Sequence, residues 1–189
     1  RIEGQVKLPF FLTPDKHYVG VAWYQKKVTI PSNWKGERIT LFLERPHIET
    51  TVWVNQQELG MQNSLCVPHV YDLTSAVTPG KTCLITIRID NRIKEINVGP
   101  DSHSITDQTQ GNWNGIVGRI ELQATPKVHF EDIQIYPDLN NQKALVRMNI
   151  QSASSTKGDI TLSAESFNTD TQHKVAPVQQ SFHIRPGDK

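Results

Sequence analysis

Hydrophobic and polar residues alternate along most of this chain. In the segment Thr82–Asp90 one side of the alternation is polar except for Leu84, and the other side is apolar and consists of Cys83, Ile85, Ile87 and Ile89. A repeat of two residues is typical of a β-strand with one buried face. Comparable runs are found at residues 21–30, 39–43, 51–54, 116–122, 129–136, 144–150, 160–166 and 179–184.

Turn-forming residues such as Pro31-Ser32-Asn33 and Pro79-Gly80 separate these runs. No segment of helical length carries apolar residues at positions i, i+3, i+4 and i+7. The pattern therefore predicts an all-β chain of about ten or more short strands, arranged in sandwiches rather than in a parallel sheet.

A change of composition near Ala124-Thr125-Pro126 predicts two domains, residues 1–124 and 125–189. The first part holds the four tryptophans of the chain, whereas the second has none and is rich in Ser, Thr and Asn. We expect the first domain to fold independently around Trp23, Trp53 and the Ile85–Ile89 face.

The second domain has too few strands for a closed sandwich. It offers about four candidate strands in about 65 residues, whereas an immunoglobulin-like sandwich needs about seven strands and about 100 residues. Its apolar faces would need an opposing sheet; they are formed by Val146, Met148 and Ile150 on one strand and by Phe182 and Ile184 on another. We expect this domain to be either mobile or ordered by self-association with a second copy.

Charge and hydropathy exclude two classes of partner. A net charge of +1, with basic residues scattered among acidic ones, argues against nucleic-acid binding, because phosphate recognition requires clustered positive charge. No apolar run approaches the length of a membrane span. No signal peptide begins the chain at Arg1, and we take the chain as a section of a longer protein.

Neither the cysteines nor the histidines indicate a metal or cofactor site. Cys66 and Cys83 are too few for a disulfide framework, and we expect two free, buried thiols, with a bridge between them as the alternative. The seven histidines lack the i,i+2 or i,i+4 spacing of metal ligands, and we expect them in turns or at the surface.

Residues 97–118 form a long polar stretch between two strand runs. Loops of this length are usually functional or disordered. Its Asp, Asn, Gln and His side chains suit hydrogen bonding to sugar hydroxyls, and the indole of Trp113 could stack on a sugar ring. The alternative is a structural loop in which Trp113 plugs the core, and both roles can coexist.

Five motifs in order resemble the N-terminal sugar-binding domain of glycoside hydrolase family 2, which includes β-galactosidases, β-glucuronidases and β-mannosidases. The strongest is GNWNGIVGRIEL at residues 111–122; the others are WYQKKVTIP at 23–31, the strand pair at 41–55, HVYDLT at 69–74 and IRIDNR at 87–92. One departure is Gly118, which stands immediately before Arg119 where many members have no glycine. The resemblance covers residues 18–124, and residues 125–189 resemble the start of the family's immunoglobulin-like domain.

This resemblance implies a jelly-roll β-sandwich whose loops complete a sugar site. The catalytic glutamates of the family lie in a later (β/α)8 barrel, so we expect no catalytic residue in this chain and name that barrel as a partner. By the same resemblance Asp107 matches an acidic residue that reaches the sugar, Asn91 and Arg92 match a polar strand end at the same rim, and Trp113 and Asn114 belong to the adjacent motif. The expected ligand is a β-glycoside, the expected parent is β-galactosidase-like, and the expected location is secreted or periplasmic.

Two other functions remain open from the sequence. A self-contained carbohydrate-binding module would use the same polar loop without a barrel. A structural β-sandwich segment of a surface protein is the third candidate, although residues 1–124 and 125–189 share no internal repeat.

Overall fold

The structure is a computed structural model that describes residues 18–65, 67–94, 113–152, 154–165 and 176–185. These ranges contain a short 3-10 turn at Ser32–Trp34 and eleven strands: β1 (Val21–Thr29), β2 (Arg38–His47), β3 (Glu49–Val54), β4 (Gln57–Asn63), β5 (His69–Asp72), β6 (Thr82–Asp90), β7 (Gly115–Thr125), β8 (His129–Asp138), β9 (Lys143–Gln151), β10 (Thr156–Leu162) and β11 (Val178–Ile184). The prediction of an all-β chain is confirmed.

Every alternating run of the sequence corresponds to a strand, but two strands were missed. The β4 strand follows a tight turn at Asn55, whose φ is +53°, and most of its side chains face water, so no apolar side marks it. The β5 strand has four residues, too few for a repeat of two to show. The predicted loop at 97–118 also ends earlier than expected, because Gly115–Gly118 already belong to β7.

The chain divides into two compact units, Arg1–Ala124 and Thr125–Lys189. In the first unit the strands form two sheets with the orders β1-β6-β3-β4 and β5-β2-β7. In the first sheet β6 lies between β1 and β3, antiparallel to both, and Ile87 is opposite Tyr24 on one side and Val52 on the other.

The two sheets of the first unit enclose one hydrophobic core. The apolar face of β6 packs with Val52 and Val54 of β3 and with the buried side chains of the second sheet, including Ile39, Leu41 and Leu43. Residues facing each other across two sheets bury each other's apolar surface, which is the main stabilising term of a sandwich.

The expectation that Trp23 and Trp53 form this core was wrong. The register of β1 places Trp23 opposite Arg88, on the outer face of the sheet, where 59% of Trp23 is exposed. Trp53 lies on the same face, with its ring centroid 5.5 Å from that of Trp23. Because side chains alternate along a strand, the neighbouring Tyr24 is the residue that shares the inner face with Ile87.

A buried polar network spans the interior of the first unit. The Nε2 of His69 donates to the Ser64 carbonyl at 3.0 Å, which leaves Nδ1 to accept from the Thr50 hydroxyl at 2.6 Å, and Tyr71 contacts the same hydroxyl. Burial lowers the pKa of His69, so the ring is neutral. The surface position expected for the histidines is therefore wrong for His69, and His47 is buried as well.

The second unit has β8 paired with β9 and β10 paired with β11. The predicted apolar faces exist: Val146, Met148 and Ile150 are half-buried on one side of β9, and Phe182 and Ile184 on one side of β11. No described residue after Gly115 is buried. The partners of the β9 face on β8, Ile133 and Ile135, remain 51% and 65% exposed.

Candidate functional site

Three strand ends meet at one edge of the first unit. Val21 at the start of β1 is paired with Asp90 at the end of β6, and Trp113 and Asn114 directly precede β7. We call residues 18–20, 91–94 and 113–114 the strand-end rim. It brings together the four predicted site residues that the structure describes. The fifth, Asp107, lies outside the described residues.

Asn91 links the three parts of the rim. Its Oδ1 accepts a hydrogen bond from the backbone N–H of Gly20 at 2.7 Å, and its Nδ2 donates to the Tyr18 carbonyl at 2.6 Å and to Oδ1 of Asn114. The whole amide of Asn91 is therefore engaged with the protein. Its role in the structure is to hold the rim together.

Arg92 is anchored by a buried carboxylate and half-exposed to solvent. Its Nε and Nη2 donate to the two carboxylate oxygens of Asp90 at 2.9 and 2.7 Å, and its backbone N–H donates to the same side chain at 3.1 Å. Asp90 is fully buried, whereas 50% of the Arg92 side chain is exposed. The guanidinium is thus held at a fixed place in the rim.

Asp90 belongs to a larger ionic cluster, which we define as Glu49, Arg88, Asp90, Arg92 and Lys94. Arg88 bridges the two carboxylates, with Nη1 at 2.9 Å from Glu49 and Nη2 at 2.9 Å from Asp90. The Lys94 ammonium also contacts both, at 2.9 and 3.0 Å. Three cations face two carboxylates, so the cluster carries a surplus of one positive charge.

The cluster keeps its acidic members ionised. Hydrogen bonds from Arg92 hold the pKa of Asp90 far below its usual range, in spite of burial. For Glu49, burial favours the neutral form, but hydrogen bonds from Lys94 and Arg88 outweigh it and lower the pKa. The same contacts raise the pKa of Arg92 and of Lys94.

Sequence reasoning found Arg92 but missed its partner Asp90 and the second carboxylate of the cluster, Glu49. One signal was present: Asp90 ends an apolar strand and is followed by cations two and four residues later. Glu49 joins the cluster from another strand, and only the pairing of β3 with β6 brings it opposite Asp90.

Trp113 is half-buried against the end of β2. Its Nε1 donates to the Arg45 carbonyl at 3.1 Å, and its ring centroid lies 5.5 Å from that of His47. These contacts agree with the alternative in which Trp113 has a structural role in its loop.

Gly118, the departure from the family pattern, makes room for an ion pair. Its φ is +84°, and a Cβ at this position would lie 2.7 Å from the Glu44 carboxyl carbon. The Glu44 carboxylate accepts hydrogen bonds from the backbone N–H and the Nε of Arg119, both at 3.0 Å. These hydrogen bonds lower the pKa of Glu44. A glycine before Arg119 therefore lets Glu44 bind its backbone and side chain together.

Cys83 is a free, buried thiol, and burial raises its pKa. Cys66 lies outside the described residues. Within the described ranges, no three His, Cys, Asp or Glu side chains are grouped so as to hold a metal ion. The same ranges contain no helix long and apolar enough to cross a membrane.

Residues 2–126 match the family model described as "Glycosyl hydrolases family 2, sugar binding domain". The chain belongs to glycosyl hydrolase family 2. The resemblance found in the five motifs is thereby confirmed, and the sugar-binding domain of this family extends through the core and the strand-end rim of the first unit.

Similar proteins of this family are named β-glucuronidases more often than β-galactosidases. The chain is 23% identical over 159 residues to the β-glucuronidase of Paenibacillus borealis, a match that covers 77% of this chain and 26% of that enzyme. It is 26% identical over 124 residues to the β-galactosidase of Priestia megaterium, covering 66% of this chain and 11% of that enzyme. The chain thus spans about a quarter or less of these relatives.

Solved structures of the family share the fold. The β-glucuronidase 2 of Bacteroides uniformis superposes with a TM-score of 0.73 at 19% identity, covering 98% of this chain and 23% of that one. A putative β-galactosidase from Bacteroides fragilis superposes with a TM-score of 0.71 at 18% identity, covering 94% and 27%.

Proposed function

We propose that this chain is the non-catalytic sugar-binding and scaffold part of a secreted or periplasmic β-glycosidase of family 2. The observation that carries the proposal is the match of residues 2–126 to the family's sugar-binding domain. The whole enzyme would remove terminal β-linked sugars, and its catalytic barrel would be the partner of this chain. β-Glucuronides are the first candidate substrates, because β-glucuronidases are more frequent than β-galactosidases among the relatives. The β-galactosides expected from the family resemblance come second.

The strand-end rim is the part of the chain that we assign to the sugar site. Its support is chemical: Arg92 offers a fixed, half-exposed cation, Asn114 offers an amide, and the indole of Trp113 lies against the end of β2. A preorganised polar rim of this kind orients a sugar without reacting with it.

The carboxylates that the structure brings together here are unsuited to hydrolysis. Glycoside hydrolysis needs one carboxyl group that stays protonated as general acid and a second, ionised one at about 5–10 Å. Glu49 and Asp90 both contact Lys94, and the pKa of each is lowered. Neither can serve as the protonated acid near neutral pH.

The proposal is tested by two measurements on the 189-residue chain. Assays with aryl β-glucuronide, β-galactoside and β-mannoside should show no turnover above the buffer rate. Turnover that survives purification and disappears when one acidic residue of this chain is replaced would refute the non-catalytic role.

Titration calorimetry gives the second measurement. We expect a dissociation constant in the millimolar range or weaker for a simple glycoside, equivalent to about −4 kcal/mol or less favourable, because a site shared with a barrel loses most of its contacts in isolation. Micromolar binding to an oligosaccharide would instead identify a self-contained carbohydrate-binding module.

A further inference from the structure

A cavity of about 210 Å³ opens beside the strand-end rim, on the inner side of the sheet edge. Its lining includes Tyr18, Tyr24, Asn91 and Asn114, together with Ile89 and Gly115, which are buried. The volume is below the about 300–1,000 Å³ of pockets for drug-sized ligands, so it suits a single small ring.

Two polar groups in this cavity are unpaired within the described part of the chain. Among the residues that the structure describes, none forms a hydrogen bond with the hydroxyl of Tyr24 or with Nδ2 of Asn114. The hydroxyl of Tyr18 donates to the Val21 carbonyl at 2.6 Å and can still accept. The cavity therefore offers one group that both donates and accepts, one donor and one acceptor.

The positions of the tyrosine hydroxyls depend on glycines. A Cβ at Gly115, whose φ is +75°, would collide with the hydroxyl of Tyr24, and a Cβ at Gly20 would lie 3.1 Å from the hydroxyl of Tyr18. Both tyrosines remain accessible, with 52% of Tyr18 and 43% of Tyr24 exposed. The local backbone thus keeps two phenol groups open to solvent at the mouth of the cavity.

We infer that this cavity binds one neutral pyranose ring, with Tyr24 and Asn114 as hydrogen-bonding residues and Tyr18 as an aromatic wall. The inference rests on the proposed function and adds a subsite and a ligand class to it. Sugar hydroxyls both donate and accept, as Tyr24 and Asn114 require, and the C–H face of a pyranose packs on an aromatic ring. None of the described residues that line the cavity is charged, which favours a neutral sugar over a uronic acid at this subsite.

The test is a titration of the 189-residue chain with methyl β-D-galactopyranoside and methyl β-D-glucopyranoside, followed by NMR. We expect Tyr24→Phe and Asn114→Ala each to weaken binding of at least one of them by about threefold to tenfold, the effect of losing one hydrogen bond. The matched control is Tyr136→Phe, because Tyr136 is 46% exposed but lies in the second unit, and it should leave the affinity unchanged. Amide spectra of the variants verify that each is folded.

Three outcomes would overturn the inference. The first is absence of binding of both glycosides at about 100 mM, well above the millimolar range expected for weak subsites. The second is binding that is unaffected by Tyr24→Phe and Asn114→Ala but lost with Arg92→Ala or Trp113→Ala, which would leave the proposed function standing and remove only this subsite. The third is a loss confined to Trp23→Ala, which would place the sugar on the outer face of the first sheet.

Discussion

The two units of this chain have similar strand patterns and very different interiors. Among the described residues of the first unit, fourteen hydrophobic ones are buried, and they come from both sheets. In the second unit, the described strands alternate just as clearly, yet none of their residues is buried. Alternation therefore shows that a strand has an apolar face, but a core forms only where a second sheet covers that face.

The difference extends to charged residues. The first unit fully buries Asp90, because three cations and two strands surround it. In the second unit Asp159 is exposed and accepts one hydrogen bond from Ser181, at 2.6 Å. A buried carboxylate needs a completed sandwich around its partners, since water would otherwise compete for each contact.

Hydrogen exchange tests the comparison most directly. We expect amides of β2, β3 and β6 to exchange at least about a thousand times more slowly than those of β8–β11 in dilute solution, because only the first unit has a core whose opening requires global unfolding. Equal protection in both units, independent of protein concentration, would show that the second unit is complete as it stands. Protection of the second unit that rises with concentration would indicate self-association through its open faces.

Truncating one apolar side chain should lower the free energy of unfolding by about 3 kcal/mol in the first unit and by far less in the second. Leu43 is fully buried, and Leu43→Ala should destabilise the first unit by about that amount through the lost apolar contacts and the cavity left behind. Ile135→Ala removes a side chain that is 65% exposed and should change stability by less than about 0.5 kcal/mol. Urea unfolding followed by tryptophan fluorescence measures the first unit, since all four tryptophans lie there, and the same titration followed by circular dichroism also covers the strands of the second unit. Equal shifts of the transition would contradict the contrast in burial.

Replacing the buried carboxylate of Asp90 should lower the free energy of unfolding by about 2 kcal/mol. Asp90→Asn keeps the shape of the side chain but leaves Arg88, Arg92 and Lys94 with one carboxylate fewer. The matched control is Asp72→Asn, because Asp72 pairs with Arg38 at 3.2 Å but 52% of its side chain is exposed. The control should change stability by less than about 1 kcal/mol. A control as destabilised as Asp90→Asn would mean that burial does not decide the strength of these pairs.

The pH dependence of stability should also be larger in the first unit, where the carboxylate with the lowered pKa is buried. The folded-state pKa of Asp90 lies below the unfolded value of about 3.9, so its contribution is fully present above that pH and is lost as the pH falls through the folded pKa. Glu49 acts in the same direction. The urea midpoint of the native chain should therefore fall on acidification below about pH 5. The difference in midpoint between the native chain and Asp90→Asn should become smaller over the same range. A midpoint difference that stays constant down to pH 2 would contradict the stabilising role of ionised Asp90 in the cluster.

The smallest effect concerns glycines that touch side chains. Gly118→Ala should destabilise the first unit by about 1–2 kcal/mol, because φ is +84° and the new Cβ would meet the Glu44 carboxylate. Gly36→Ala is the control for strain alone, since its φ is +91° and nothing lies within 4 Å. Gly158→Ala in the second unit would meet the ring of Phe182 at 2.9 Å, but that ring can turn into the open face, so we expect less than about 0.5 kcal/mol. The prediction fails if Gly118→Ala and Gly36→Ala are equally destabilising.

The sequence by itself determined the strands and the family. Strand formation depends on neighbours two residues apart, and the run Thr82–Asp90 carries that information within nine residues, which are those of β6. The motifs around Trp113 are equally local, and they identified the sugar-binding domain and four residues of the strand-end rim. Strands without an apolar side, such as β4, were beyond this reasoning because nothing in their own sequence distinguishes them from a loop.

The tertiary structure alone decided which face each strand turns inward and what the site residues bind. Trp23 looks like a core residue, but the register of β1 against β6 places it outside and Tyr24 inside. Asn91 looks like a sugar ligand, but its amide reaches Gly20, 71 positions away, and Asn114, 23 positions away. A shift of one residue in a strand pairing exchanges its two faces, so such roles depend on contacts between distant segments that no local pattern contains.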